Sequence, residues 1–112
     1  MRFLFALVVV LIASPAWADA TGGDLNAACN SAAGTMGDKL CNAYINGFIN
    51  GVLGDQYERD RGTPICLPEH INPAKIRTLV TKFFLNNPQT MPFMAGASVG
   101  VVVERAYPCN PN

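Results

Sequence analysis

The sequence predicts an all-α fold, a small bundle of four helices, or five, stapled by two disulfides. Three observations carry this. Apolar side chains recur at helical spacing through 40–52 and again through 76–84. Helix-capping residues and helix-stopping glycines and prolines punctuate the chain between such stretches. Four cysteines, an even count, follow an N-terminus of the kind that directs export, and exported chains meet oxidising conditions.

The N-terminus comes first. Arg2 precedes an unbroken apolar run at 3–13, too short to span a bilayer. Ser14-Pro15 breaks the run, and Ala16-Trp17-Ala18 has the small-x-small form of a signal peptidase site. The expected division is therefore a signal peptide over 1–18 and one helical domain over 19–112. Without the leader the chain carries seven basic and eight acidic side chains, close to neutral. Neither a basic excess nor a basic-aromatic patch points to nucleic acid, and no second apolar run reaches membrane length. The expected location is the periplasm.

In the first helix, Asp24 reads as the N-cap, 25–33 as the helix and Gly34 as its stop. The connection Gly34-Thr-Met-Gly37 is tight, and Asp38 reads as the next cap. A short linker implies an antiparallel pair, which sets Cys29 and Cys41 level across it. Four cysteines allow three pairings. The hairpin geometry favours Cys29–Cys41 and leaves Cys66–Cys109, closing loops that each contribute roughly 3–4 kcal/mol.

The second helix is expected over 39–59. Leu40, Cys41, Tyr44, Ile45, Phe48, Ile49 and Val52 form its apolar face. Ala43, Gly47, Gly51 and Gly54 make a small-residue stripe beside it, and Asn42, Asn46 and Asn50 a polar one. Three glycines cost roughly 3 kcal/mol of helix propensity. The stripe thus implies another backbone packed into it, from this chain or from a second subunit. Gly62-Thr-Pro64 ends the helix, and 65–71 is a loop apolar enough to lie on the bundle.

Asn72-Pro73 starts a third helix, a cap followed by proline at the first helical position. Ile76, Leu79, Val80, Phe83 and Phe84 are its core face, and Asn86-Asn87-Pro88 its stop. A fourth helix is expected over 92–106, capped by Thr90. Val99-Gly-Val-Val-Val103 has strand propensity, but no partner strand exists in the chain and the length favours helix.

Catalytic chemistry finds little support. His70 is the single histidine, and a metal site would need further donors around it. Pairing of all four cysteines leaves no thiol for a Cys–His nucleophile, and neither pair has the C-x-x-C spacing of redox or zinc motifs. Gly47-x-x-x-Gly51 has the form of a membrane dimer motif, but Asn46 and Asn50 interrupt it, and close packing in a soluble bundle is the better reading. No phosphate-binding glycine loop and no Ser-His-Asp set is present. The expectation is a protein that is not an enzyme and takes no cofactor and no metal. Asp55, Tyr57, Glu58, Arg59, Asp60 and Arg61 read first as a solvated helix end and second as a partner surface. With Glu69 and His70 of the next loop they are the candidate partner-binding residues.

Taken in order, several motifs match a known family. These are Cys41-x-x-Tyr44-Ile45-x-Gly47-Phe48-x-x-Gly51, Ile65-Cys-Leu-Pro68, a helix from Pro73, Asn87-Pro88, and Ala106-Tyr-Pro-Cys109. Over about 24–109 the chain resembles the Rap/Tai family of small periplasmic immunity proteins. The resemblance implies a helical, disulfide-bonded domain that inhibits a peptidoglycan amidase effector of a type VI secretion system by occluding its active site, alone or as a homodimer. The alternative expectation is a general periplasmic binding protein or acid-stress chaperone. An exported enzyme is the third, and it lacks a catalytic set.

Overall fold

The computed structural model describes residues 20–58 and 64–109, and the signal segment expected over 1–18 lies outside them. Four helices follow in order: α1 (Gly22–Cys29), α2 (Met36–Glu58), α3 (Pro73–Asn86) and α4 (Ala95–Ala106). A 3₁₀ turn at Pro88–Thr90 joins α3 to α4. The all-α expectation therefore holds, and the valine-rich segment 99–103 is helical. Val99, Val102 and Val103 project into the core from one side of α4, so burial overrides their strand preference.

α1 starts earlier than expected, and Asp24 is not its cap. Thr21 caps it: the Thr21 hydroxyl accepts from the Asp24 N–H at 3.2 Å, and the Asp24 carboxylate accepts from the Thr21 N–H at 3.1 Å. Gly22 and Gly23 are thus the first helical turn rather than a flexible lead. A Cβ on Gly22 would lie 2.8 Å from a ring carbon of Phe84, so only glycine fits there. α1 also stops at Cys29, short of 33. The Asn30 side-chain amide donates to the Asn26 carbonyl at 2.8 Å and the Ser31 hydroxyl to the Ala27 carbonyl at 3.0 Å. The Ser31 N–H turns to the Ala28 carbonyl at 3.1 Å, so the Ser31 hydroxyl takes over the Ala27 carbonyl that a longer helix would need. Gly34, at φ 82°, lies in the turn that follows.

α2 opens on a related pair of bonds, with the carboxylate reaching one residue further back. Thr35 accepts from the Asp38 N–H at 3.3 Å, and Asp38 accepts from the Gly34 N–H at 2.9 Å. Asp38 therefore lies inside the first turn rather than at the cap position. Both helices begin on Thr-x-x-Asp. Cys29–Cys41 closes the α1–α2 hairpin with 4.9 Å between Cα atoms. Cys41, Ile45 and Ile49 carry the buried stripe of α2 into the core.

α3 matches its expected bounds. The Asn72 side chain accepts from the Ala74 N–H at 3.0 Å, and Pro73 takes the first position. Ile76, Val80 and Phe84 are fully buried, with Leu79 and Phe83 packed at the margin. The helix lies against α1, α2 and α4. α4 begins at Ala95 rather than 92, and Thr90 belongs to the 3₁₀ turn, where its hydroxyl donates to the Asn87 carbonyl at 2.7 Å. Residues 91–93 form a turn, and Met94 makes an isolated antiparallel bridge with Thr21, so the segment before α4 is pinned to the start of the domain. Gly22 N–H donates to Phe93 O at 2.8 Å, Gly23 N–H to Met91 O at 2.9 Å, and Ala95 N–H to Ala20 O at 2.9 Å.

One packing expectation fails within the chain. No atom of another element lies within 4 Å of where a Cβ on Gly47, Gly51 or Gly54 would stand, and all three glycines are exposed. α1 and α3 meet α2 on its buried stripe instead. That stripe offers the larger apolar area, and area rather than close backbone approach decides which face is covered.

Candidate partner-binding surface

Loop 64–72 is built by alternation. Ile65 and Leu67 point inward and are buried, while Cys66 and Pro68 face solvent. The loop is held to the end of the chain beyond α4. Ile65 and Pro108 form an antiparallel bridge, Cys66 N–H donates to Tyr107 O at 2.9 Å, and Cys109 N–H donates to Pro64 O at 3.4 Å. Cys66–Cys109 ties the same two segments covalently, with 4.8 Å between Cα atoms. Lys75, in the first turn of α3, sets its ammonium 5.5 Å from the centre of the Tyr107 ring. The loop therefore starts from a fixed base and ends at a capped helix.

Glu69 and His70 occupy the crest of this loop, both exposed, between buried Leu67 and half-buried Ile71. Asp55, Tyr57 and Glu58 fall in the last turns of the α2 backbone. Arg59, Asp60 and Arg61 lie outside the described residues. Glu69 and His70 are thus consecutive exposed residues, and the ion pair of Arg77 with Asp38 sets the first turns of α3 after them beside the start of α2.

Sequence reasoning missed the polar junction where the start of α3 meets the end of α1 and the start of α2. Arg77, on the flank of α3, donates through Nη2 at 2.9 Å and Nε at 3.3 Å to the Cys29 carbonyl. It also donates through Nη1 to Asn42 Oδ1 at 3.0 Å and forms an ion pair with Asp38. The Gly34 N–H, and after it the Arg77 guanidinium, hold the Asp38 carboxyl below its ordinary range. Arg77 is a fastener for three helices. Its main acceptor is a backbone carbonyl 48 residues away, which no local pattern announces.

Two shallow grooves flank α3. One, of about 460 Å³, lies between α1 and α3 and contains Lys82 and Leu85, the latter 80% exposed. The other, of about 380 Å³, lies between α3 and α4 and contains Lys82 and Arg105. Both disulfides are formed, so no cysteine is free. Among the described residues no group of three or more His, Cys, Asp or Glu side chains is placed to hold a metal ion. Among the described residues the geometry offers an exposed loop and two open grooves.

The family model of the Rap1a immunity proteins matches residues 21–109, from the cap of α1 to the second disulfide. The chain belongs to the Rap1a immunity protein family. The match takes in all four helices and all four cysteines, so it describes the same domain as the fold. No curated protein and no solved structure matches the chain. Rap1a proteins are immunity proteins against type VI effectors, and their partner is a secreted effector protein. No helix among the described residues is long and apolar enough to cross a membrane.

Proposed function

We propose that this Rap1a protein is exported by cleavage of residues 1–18 and acts in the periplasm on a peptidoglycan amidase effector. It binds the effector stoichiometrically and occludes the active site with loop 64–72 and the last turns of α2. The observation that carries this reading is the crest itself. Glu69 and His70 are exposed on a segment whose base is fixed by Cys66–Cys109 and by buried Ile65 and Leu67. A surface already ordered before binding loses less conformational entropy on association, which favours tight inhibition.

The test is titration of type VI peptidoglycan amidases with the purified protein, reading binding by calorimetry and peptidoglycan hydrolysis in parallel. A one-to-one complex at nanomolar affinity with loss of hydrolysis is expected, weakened at least tenfold by Glu69→Lys with His70→Ala. Binding that leaves hydrolysis intact would remove the occlusion mechanism. The chaperone reading draws on exposed Leu85, Phe93 and Met94. Suppression of aggregation of unrelated proteins at low pH, without binding to any amidase, would put that reading in its place.

A further inference from the structure

The two disulfides occupy opposite environments. Cys41 is fully buried and Cys29 is 5% exposed, inside the α1–α2 hairpin. Cys66 is exposed and Cys109 half-buried, at the rim of the partner-binding loop. Thiol–disulfide exchange requires a thiolate to approach a sulfur directly, so access orders the two bonds before anything else does. Their supports differ as well. The hairpin bond is backed by buried packing and by the Arg77 guanidinium on the Cys29 carbonyl. The main-chain bonds accompanying Cys66–Cys109 join the loop to the segment after α4, and Ile65 and Leu67 beside Cys66 anchor the loop to the core without covering the bond.

We propose that Cys66–Cys109 is a redox latch. A dithiol reductant opens it ahead of Cys29–Cys41, releases loop 64–72 from the chain end, and so dismantles the effector-binding crest while the four helices stay folded. The functional half of this proposal rests on the reading of the crest as the partner surface. In the chemical step a thiolate of the reductant attacks Sγ of Cys66. The S–S bond breaks, and its electron pair leaves on Sγ of Cys109, which takes a proton from water. The second thiol of the reductant then displaces Cys66. Two protein thiols result, and the reductant is oxidised by two electrons to a cyclic disulfide. Exchange with a disulfide oxidant reverses the sequence and closes the latch.

The test titrates the folded protein with dithiothreitol, alkylates the thiols and locates them by mass spectrometry. Amide hydrogen exchange and far-ultraviolet circular dichroism follow the same samples and a Cys66→Ser/Cys109→Ser variant. Cys66 and Cys109 are expected to label at a reductant concentration at least tenfold below that for Cys29 and Cys41. The amides of Ile65, Cys66, Leu67 and Tyr107 should exchange at least tenfold faster in the reduced protein and in the variant, with those of Ile76, Val80 and Phe84 unchanged. Opening of Cys29–Cys41 first, unchanged loop exchange, or loss of the helical signal together with the surface bond would each overturn the latch. The variant is also titrated against a type VI peptidoglycan amidase that the oxidised protein binds. At least tenfold weaker binding is expected, and equal affinity would overturn the functional half. Failure of the oxidised protein to bind any amidase would sink the amidase reading instead, with the order of reduction standing independently.

Discussion

The two faces of α2 do opposite things with the same helix. On the inner face Cys41, Ile45 and Ile49 recur every fourth residue and are 0%, 1% and 4% exposed. On the outer face Ala43, Asn46, Gly47, Asn50, Gly51 and Gly54 all lie in solvent. Glycines in a helix suggest close packing, yet here the packed face is the bulky one. Gly22 shows what a packing glycine looks like: its missing Cβ makes room for the Phe84 ring. The lesson is that a stripe of small residues marks where a neighbour could approach closely, whereas a stripe of large apolar residues marks where one must. In the isolated chain the outer glycines weaken α2 without any packing gain.

The sharpest way to break this contrast is on the inner face. Ile45→Ala should cost about 2–5 kcal/mol, because it removes apolar atoms from a closed core and leaves a cavity. A fall in the urea midpoint at unchanged slope is the readout. A loss below about 1 kcal/mol would mean that the inner stripe is not the face that holds α2.

Arg77→Ala tests the junction where the two faces meet at the start of α2. It strips the Cys29 carbonyl of two N–H donors and should cost about 1–3 kcal/mol at neutral pH. The acid limb separates its contribution through Asp38. The folded Asp38 pKa is lowered, so the stabilisation is present above the ordinary carboxylate value of about 3.9 and is lost as pH falls through the folded value. The difference in urea midpoint between parent and variant should therefore narrow below about pH 4. A constant difference down to pH 2 would show that Asp38 takes no part in the junction.

The smallest effect has the opposite sign. Gly47→Ala adds a methyl group where nothing stands within 4 Å and should stabilise the free protein by about 0.5–1 kcal/mol. Calorimetry should show a rise in Tm. A fall would mean that a second copy of the chain already occupies the outer face in solution, which sedimentation would reveal directly.

Legibility in the sequence followed how local each determinant is. α3 was readable from end to end because its cap, first-turn proline and apolar face all lie within fifteen residues of one another. The pairing Cys29–Cys41 followed from a short turn between two helices. The start of α1 was misread because Gly22 and Gly23 resemble a flexible lead. Their place in the first turn depends on Phe84, Thr90 and Met91, far along the chain. The start of α4 is misplaced for a related reason, since the turn before it is held by hydrogen bonds to residues 20–23. Arg77 carries no local signal, because its acceptors lie 35 to 48 residues away. At the candidate site, the exposed crest with Glu69 and His70 could be inferred from the apolar alternation around it, but its attachment to Tyr107 and Pro108 could not.

The Cys66–Cys109 bond also decides how the domain answers a mechanical load. Tension applied between residues 20 and 109 crosses directly from Cys66 to Cys109 through the sulfurs. α3 and α4 lie inside the loop so closed and are shielded from the pull along the chain. The hairpin bond likewise bridges past the turn between α1 and α2. An oxidised chain drawn by its ends would therefore unwind α1 and most of α2, while the other half of the domain hangs as an unstretched pendant until the outer bond is reduced.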